Sequence, residues 1–153
     1  YKKVAKKAKV PAQLVAAIHY RENTSDCLGG KFDSYLHNGD MLGKETVNEP
    51  KGIFYPKGQF VRAAQNAIDM KSSYRGRYKL SATSKDFVGM CSFALTYNGK
   101  PKSKRIWQHS PYVFSGTNIY KKGKYTHDKG HDPNTIDKQV GVFLLINKIY
   151  NIR

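Results

Sequence analysis

The chain has 153 residues, about one domain's worth and enough to bury a real core. Lys and Arg number 27 against 11 Asp and Glu, a formal charge of +16 that excludes an acidic or near-neutral protein and points to a polyanionic partner. A content of 39% hydrophobic and 12% aromatic residues suits a folded chain, no apolar run approaches the roughly 18–20 residues of a spanning helix, and two cysteines allow at most one bridge.

The chain begins at Tyr1 rather than Met, so a trimmed or excised chain is expected and the lack of a leader carries no information on export. Lys2, Lys3, Lys6, Lys7 and Lys9 mark residues 1–9 as a solvated basic arm or the start of a basic helix. Pro11 to about Glu22 reads as a helix, with Pro11 at its first position and Leu14, Val15, Ile18 and Glu22 at helical spacing. Residues 23–58, with many Gly plus Pro50 and Pro56, have no sustained period; a segment this long is often functional, and short helical turns can hide in it. Phe60 to about Met70 reads as a second helix, with Phe60, Ala64, Ala67 and Ile68 on one side. A third runs from a Ser84 cap to Tyr97, with Phe87, Cys91, Ala94 and Leu95 as its apolar stripe and Asn98-Gly99 as its stop. Residues 106–128 read as mostly irregular. Asp132-Pro133 then opens a last helix carrying Ile136, Val140, Phe143, Leu144 and Ile149. The expectation is a single, mainly α-helical domain over residues 1–153 with long functional loops.

Glu22 is the most informative residue. It follows the buried stripe of its helix and closes the helix where the macrodipole disfavours negative charge. Both effects raise a carboxyl pKa, and an acid still protonated near neutrality can act as a general acid. The plainer reading is a surface Glu at a frayed helix end, paired with a Lys.

The context favours the first reading. Val10–Thr24, "VPAQLVAAIHYRENT", resembles the first motif of the lysozyme superfamily in its goose-type and soluble lytic transglycosylase branch, in which a helix ends in the catalytic Glu. Phe93–Gly99, "FALTYNG", resembles the "ALAAYN-[AG]-G" motif of the same group. "YLHNGD" (Tyr35–Asp40) with Leu42-Gly43, and "SPYVFSGTNIY", "GKY" and "DKQVG" within Ser110–Gly141, look like signatures of phage and bacterial muralytic proteins. The departures are Asn23 and Thr24 after the Glu where Ser is usual, no "G-L-M-Q" stretch, and Met41 where Pro is common.

The resemblance implies a lysozyme-like helical domain that cleaves the glycan strands of peptidoglycan between N-acetylmuramic acid and N-acetylglucosamine, as a muramidase or lytic transglycosylase. Glu22 is then the general acid and base. The motif's Tyr97 reaches back toward Glu22, and Asn98 faces the glycan. Glycosidases commonly pair two carboxylates. Asp40 is the candidate for the second, with Asp33 and Asp26 behind it, whereas many lytic transglycosylases use a single Glu and form a 1,6-anhydro sugar. Asp40 equally suits a turn in "HNGD", and Tyr97 equally suits a packed aromatic. Tyr35, His37, Tyr112, Phe114 and Tyr120 can line a sugar groove or be ordinary half-buried loop residues.

His127 and His131 have H-x3-H spacing beside Asp128 and Asp132, but no helix places both rings on one face, so neither a metal nor a cofactor is expected. Cys27 and Cys91 can form a bridge if their segments touch, or remain two buried thiols. The charge suits a polyanionic wall, reached by export or phage delivery, with the chain acting as a monomer and outside any membrane. N-deacetylated walls are a possible substrate as well. It also suits a basic nucleic-acid-binding module, although no reading helix, RNP-like motif or zinc finger is present. A third class is a catalytically inactive wall-binding domain.

Overall fold

The computed structural model describes residues 1–23, 33–37, 39–48, 50–99, 109–127 and 130–151. The architecture is mainly helical. In chain order it comprises α1 (Lys2–Ala8), α2 (Ala12–Asn23), α3 (Phe60–Asp69), α4 (Ser72–Arg77), α5 (Phe87–Tyr97), α6 (Pro111–Phe114), β1 (Lys124–His127), β2 (Gly130–Asp132) and α7 (Val142–Asn151).

α2 is the hub. It packs against α7 on one side and α1 on another, and it also touches α5. Leu14, Val15, Ala17, Ile18 and His19 are all buried, so this helix is covered over most of its circumference and little of it is left for solvent. The buried His19 bridges segments: its Nδ1 meets the Tyr1 hydroxyl at 3.0 Å and its Nε2 meets the Ser34 carbonyl at 3.1 Å.

Residues 1–9 are not an arm. Val4, Ala5 and Ala8 are buried in the core and α1 packs on α3, while the lysines between them keep their charge in water. Of the two readings of this stretch, an arm or the start of a basic helix, the structure takes the helix, and Val4, Ala5 and Ala8 at i, i+1 and i+4 are its signal.

The expected ends of α2, α3 and α5 lie within a few residues of the observed ones. The cap of α5 differs. Asp86, not Ser84, accepts from the Gly89 amide at 2.9 Å, and Ser84 instead accepts from the Ser81 amide at 2.8 Å. The buried face is also rotated: Met90, Phe93, Ala94, Leu95 and Tyr97 are buried, while Phe87 and Cys91 are half-buried. Asn98 and Gly99 end the helix as expected, with Gly99 at φ 110°.

The last helix is the largest departure. Asp132 closes β2 rather than capping a helix. Its carboxylate accepts from the Asn134 amide at 2.8 Å and from the Thr135 hydroxyl, an Asx turn that uses the same donors a cap would. α7 starts ten residues later at Val142, and Ile136 and Val140 stay 59% and 36% exposed. The stretch expected to be irregular contains α6 and β1, and β1 pairs antiparallel with β2 through a register shift. α4 had no sequence signal.

The long loop after α2 carries no helical turn among its described residues. Isolated bridges pair Ser34 with Met41 and Glu45 with Phe54. Hydrogen bonds from the Leu42 amide to the Asp33 carbonyl (2.7 Å) and from the Gly43 amide to the Tyr55 carbonyl (2.7 Å) draw residues 33–35 onto 40–42 and residues 43–46 onto 53–55 as two irregular hairpins.

Gly141 fixes the approach of α7 to α6. A Cβ there would lie 2.7 Å from the Ser115 amide nitrogen and closer still to the Val113 carbonyl. The obstructing atoms are backbone, so they cannot rotate away. Gly141→Ala is therefore expected to cost about 1–3 kcal/mol, read as a lower urea midpoint at unchanged m-value. Wild-type stability in that variant would show that the contact relaxes freely.

Candidate functional site

A cleft of about 560 Å³ opens where four segments converge. Glu22 comes from the end of α2, Leu36, His37, Val47, Asn48 and Lys51 from the double hairpin, Met70 and Lys71 from just beyond α3, and Tyr97, Asn98 and Gly99 from the end of α5. Three helices thus end at the cleft, and the double hairpin supplies the rest of its lining.

Polar side chains hold the hairpin there. The Asn23 amide donates to the Tyr35 carbonyl at 2.6 Å and to the His19 carbonyl at 3.3 Å, tying the hairpin to α2. The Tyr97 hydroxyl donates to the Leu36 carbonyl at 2.9 Å, tying it to α5. Gly39, at φ +74°, lies so close to the end of α2 that a Cβ would sit 3.1 Å from Asn23 Oδ1 and 3.3 Å from the Glu22 carbonyl. A residue that sequence reading marked only as a departure, Asn23, therefore sets the distance between the acid and the hairpin.

Glu22 is half-buried, and its Oε1 accepts a hydrogen bond of 2.8 Å from the Tyr112 hydroxyl. This corrects the sequence expectation, which gave that role to Tyr97. Tyr97 has one hydroxyl proton and spends it on the Leu36 carbonyl, although Tyr97 remains within electrostatic reach of Glu22. Both phenols stay protonated at any physiological pH. Burial first, and then the negative charge of Glu22, push each hydroxyl well above the ordinary tyrosine value. For Tyr112, the Arg21 guanidinium, 5.0 Å from the ring centroid, opposes the shift without reversing it. Behind this contact Arg21 makes a buried ion pair with Asp137 at 2.7 Å, which Lys124 joins at 3.4 Å. The support thus runs Asp137, Arg21, Tyr112, Glu22, across residues 116 positions apart in the case of the ion pair.

Replacing Tyr112 with Phe keeps the ring on Arg21 and deletes only the donor to Glu22. Charge-assisted hydrogen bonds contribute about 1.5–3 kcal/mol, so Tyr112→Phe is expected to slow any Glu22-dependent reaction by roughly tenfold or more with little change in Tm. An unchanged rate would mean that the bond plays no part in the reaction.

His37 lines the cleft with its ring stacked on Tyr97, at 6.2 Å between centroids and 25° between planes. Burial, and then the Lys71 ammonium, hold its pKa below the usual 6.5, against an upward pull from Asp40. It is a neutral imidazole at pH 7.

The remaining candidates lie elsewhere. Asp40 is buried and does not line the cleft. Its carboxylate accepts from the Val47 amide (3.3 Å), the Asn48 amide (3.2 Å), the Asn48 side chain (3.1 Å) and the Tyr35 hydroxyl (3.4 Å). A carboxylate with four donors on it is a loop anchor, which favours the turn reading over the catalytic one. Asp33 is exposed away from the cleft lining, and Asp26 and Cys27 lie outside the described residues. Tyr35 is buried against Tyr55 and His37, with its hydroxyl pushed up by burial and then by Asp40, so it is a core residue rather than a sugar platform. Tyr120 is buried and accepts from the Asp137 amide at 2.9 Å, and Phe114 packs on Phe143. Cys91 carries a free thiol, pushed up to about 12 by burial and then by Asp86.

No known family model matches this chain, and no curated protein or solved structure is detectably similar to it. The site's chemistry therefore rests on its own residues. Among the described residues no three His, Cys, Asp or Glu side chains are grouped to hold a metal. His131 packs its ring on Tyr125, and Asp128 lies outside the described residues.

Four lining residues escaped sequence reading altogether: Val47, Asn48, Lys51 and Met70. Val47, Asn48 and Lys51 fall in the loop singled out for its length, the only signal that pointed there. Lys71 opens one of the several cationic stretches, Lys71–Lys85, over which the sequence spreads its charge.

Proposed function

We propose that this chain cleaves the β-1,4 bond between N-acetylmuramic acid and N-acetylglucosamine in peptidoglycan, on a lysozyme-like helical domain, with Glu22 as general acid and then base. The observation that carries this reading is the placement of Glu22. It is a half-buried carboxyl group at a helix end, opening into a cleft that can take sugar rings, with the protonated Tyr112 hydroxyl on it. Tyr97 and Asn98, from the second resemblance motif, line the same cleft. In this scheme Glu22 donates its proton to the glycosidic oxygen as the C1–O bond breaks. Its carboxylate then takes a proton from the nucleophile as the new C1–O bond forms. That nucleophile is water in a hydrolase and the muramyl 6-hydroxyl in a transglycosylase. Asn98 and Asn48 supply amide donors and acceptors to the glycan. Among the described residues Glu22 is the one carboxylate lining the cleft, which favours the single-acid route.

The net charge of +16 suits attraction to a polyanionic wall, and localisation at the wall outside the membrane follows from the same proposal. No helix among the described residues is long and apolar enough to cross a membrane. The test is mass spectrometry of acetylated and N-deacetylated peptidoglycan digested side by side. Muropeptides ending in 1,6-anhydro-muramic acid identify a transglycosylase, and reducing ends identify a muramidase. Undigested walls, with tight salt-dependent DNA binding that survives Glu22→Gln, would replace the proposal with the nucleic-acid reading.

A further inference from the structure

The described lining of the cleft holds more positive charge than a neutral glycan requires. Its described lining carries one carboxylate, Glu22, and two ammonium groups, Lys51 and Lys71. Every ion pair among the described residues uses Asp69 or Asp137, and neither Lys51 nor Lys71 takes part in one. Lys71 is close enough to His37 to act on its titration. His37 itself has a buried Nε2 with no hydrogen-bond partner. A buried polar nitrogen left unpaired is costly unless something meets it there.

We propose that Lys51, Lys71 and His37 form an anion subsite beside Glu22 that takes a carboxylate of the substrate. In peptidoglycan that group is a free carboxylate of the peptide stem on muramic acid. The subsite rests on the reading of this cleft as a glycan site but goes beyond it, since a chain of neutral sugars offers nothing for the two ammonium groups. A carboxylate seated between them accepts charge-assisted hydrogen bonds from both lysines, and an adjacent amide or hydroxyl of the stem pairs with His37. The neutral imidazole suits this place, because a third cation would add repulsion between side chains whereas a neutral ring can donate or accept.

The experiment uses the full chain carrying Glu22→Gln, so that no ligand is turned over. Three probes are titrated and followed by NMR at the His37 ring and by calorimetry: chitotetraose, an acetylated dipeptide ending in a free D-alanine carboxylate, and the same dipeptide as its C-terminal amide. The carboxylate is expected to bind roughly tenfold tighter than the amide, with the His37 signals moving. Adding Lys51→Gln and Lys71→Gln abolishes that preference while chitotetraose still binds, and weakens the salt dependence of carboxylate binding. Equal affinity for carboxylate and amide, or a preference that survives both lysine substitutions, overturns the subsite. If chitotetraose does not bind but the carboxylate does, through the lysines, the subsite stands and the muramidase reading fails. If chitotetraose binds and the carboxylate shows no preference, the subsite fails and the glycan reading remains.

Discussion

Glu22→Gln is expected to abolish release of soluble fragments from purified walls, a loss of roughly a thousandfold, while the circular dichroism spectrum and wall binding stay those of the parent chain. The glutamine amide has nearly the shape of the carboxyl group and keeps an oxygen that can accept from the Tyr112 hydroxyl, so the support behind it, from Arg21 to Asp137, is undisturbed. What disappears is the proton. An amide can neither donate to a departing glycosidic oxygen nor take a proton from the incoming nucleophile. The paired measurement is turbidity loss of a wall suspension together with sedimentation of protein bound to the same walls. Lysis at the parental rate would remove the proposed mechanism, and loss of lysis accompanied by loss of fold would instead make Glu22 a structural residue.

Asp137→Asn should produce the largest loss of stability of any single substitution considered. Arg21 and Asp137 keep only 6% and 3% of their side-chain surface in contact with solvent. Two nitrogens of Arg21, Nε and Nη1, already lack hydrogen-bond partners. Removing the carboxylate leaves a buried guanidinium whose main remaining compensation is the Tyr112 ring. Breaking one side of such a pair costs about 3–5 kcal/mol, comparable to a large part of a small domain's stability. Burial pushes the Asp137 carboxyl up, but Arg21, the Gln139 amide and Lys124 together outweigh it and hold the group below its ordinary value of 3.8. A carboxyl depressed in the folded state contributes stability that is fully present above its unfolded pKa and is lost as pH falls through the folded one. The parent chain should therefore lose Tm as the solution is acidified through 3.8 and below, and Asp137→Asn, already destabilised at neutrality, should show a shallower acid decline. Equal acid slopes for the two proteins would show that Asp137 does not govern this limb. Because Arg21 also faces Tyr112, the same variant should slow a Glu22-dependent reaction even where it remains folded.

The helices α2, α3 and α5 were legible because each repeats apolar residues at helical spacing, and α5 also meets a recognisable stop at Asn98-Gly99. α7 was misplaced by ten residues because Asp132-Pro133 offers the same short-range chemistry to an Asx turn as to a helix cap. Local sequence cannot choose between the two; burial does, and it lies with Val142 and Ile146 rather than Ile136. Residues 1–9 read either as an arm or as a helix start because the charge of their lysines says where the side-chain ends go and nothing about where Val4 goes. At the site, Glu22, His37, Tyr97 and Asn98 were named in advance and line one cleft. The carboxylate's partner was misassigned, since a hydroxyl's single proton goes to whichever acceptor the fold brings nearest, and for Tyr97 that is the Leu36 carbonyl.

Composition and periodicity by themselves determined a basic, mainly helical chain and the helix end on which Glu22 sits. These depend on neighbours within a turn or two, and sequence spacing reports such neighbours directly. Only the tertiary structure decided that Tyr112 holds the acid, that Asp40 anchors a loop, that Arg21 finds Asp137, and that Lys51 and Lys71 reach the same cleft. Each of these joins side chains from segments far apart in the chain, and their meeting is set by how the helices and hairpins pack, which no local pattern encodes.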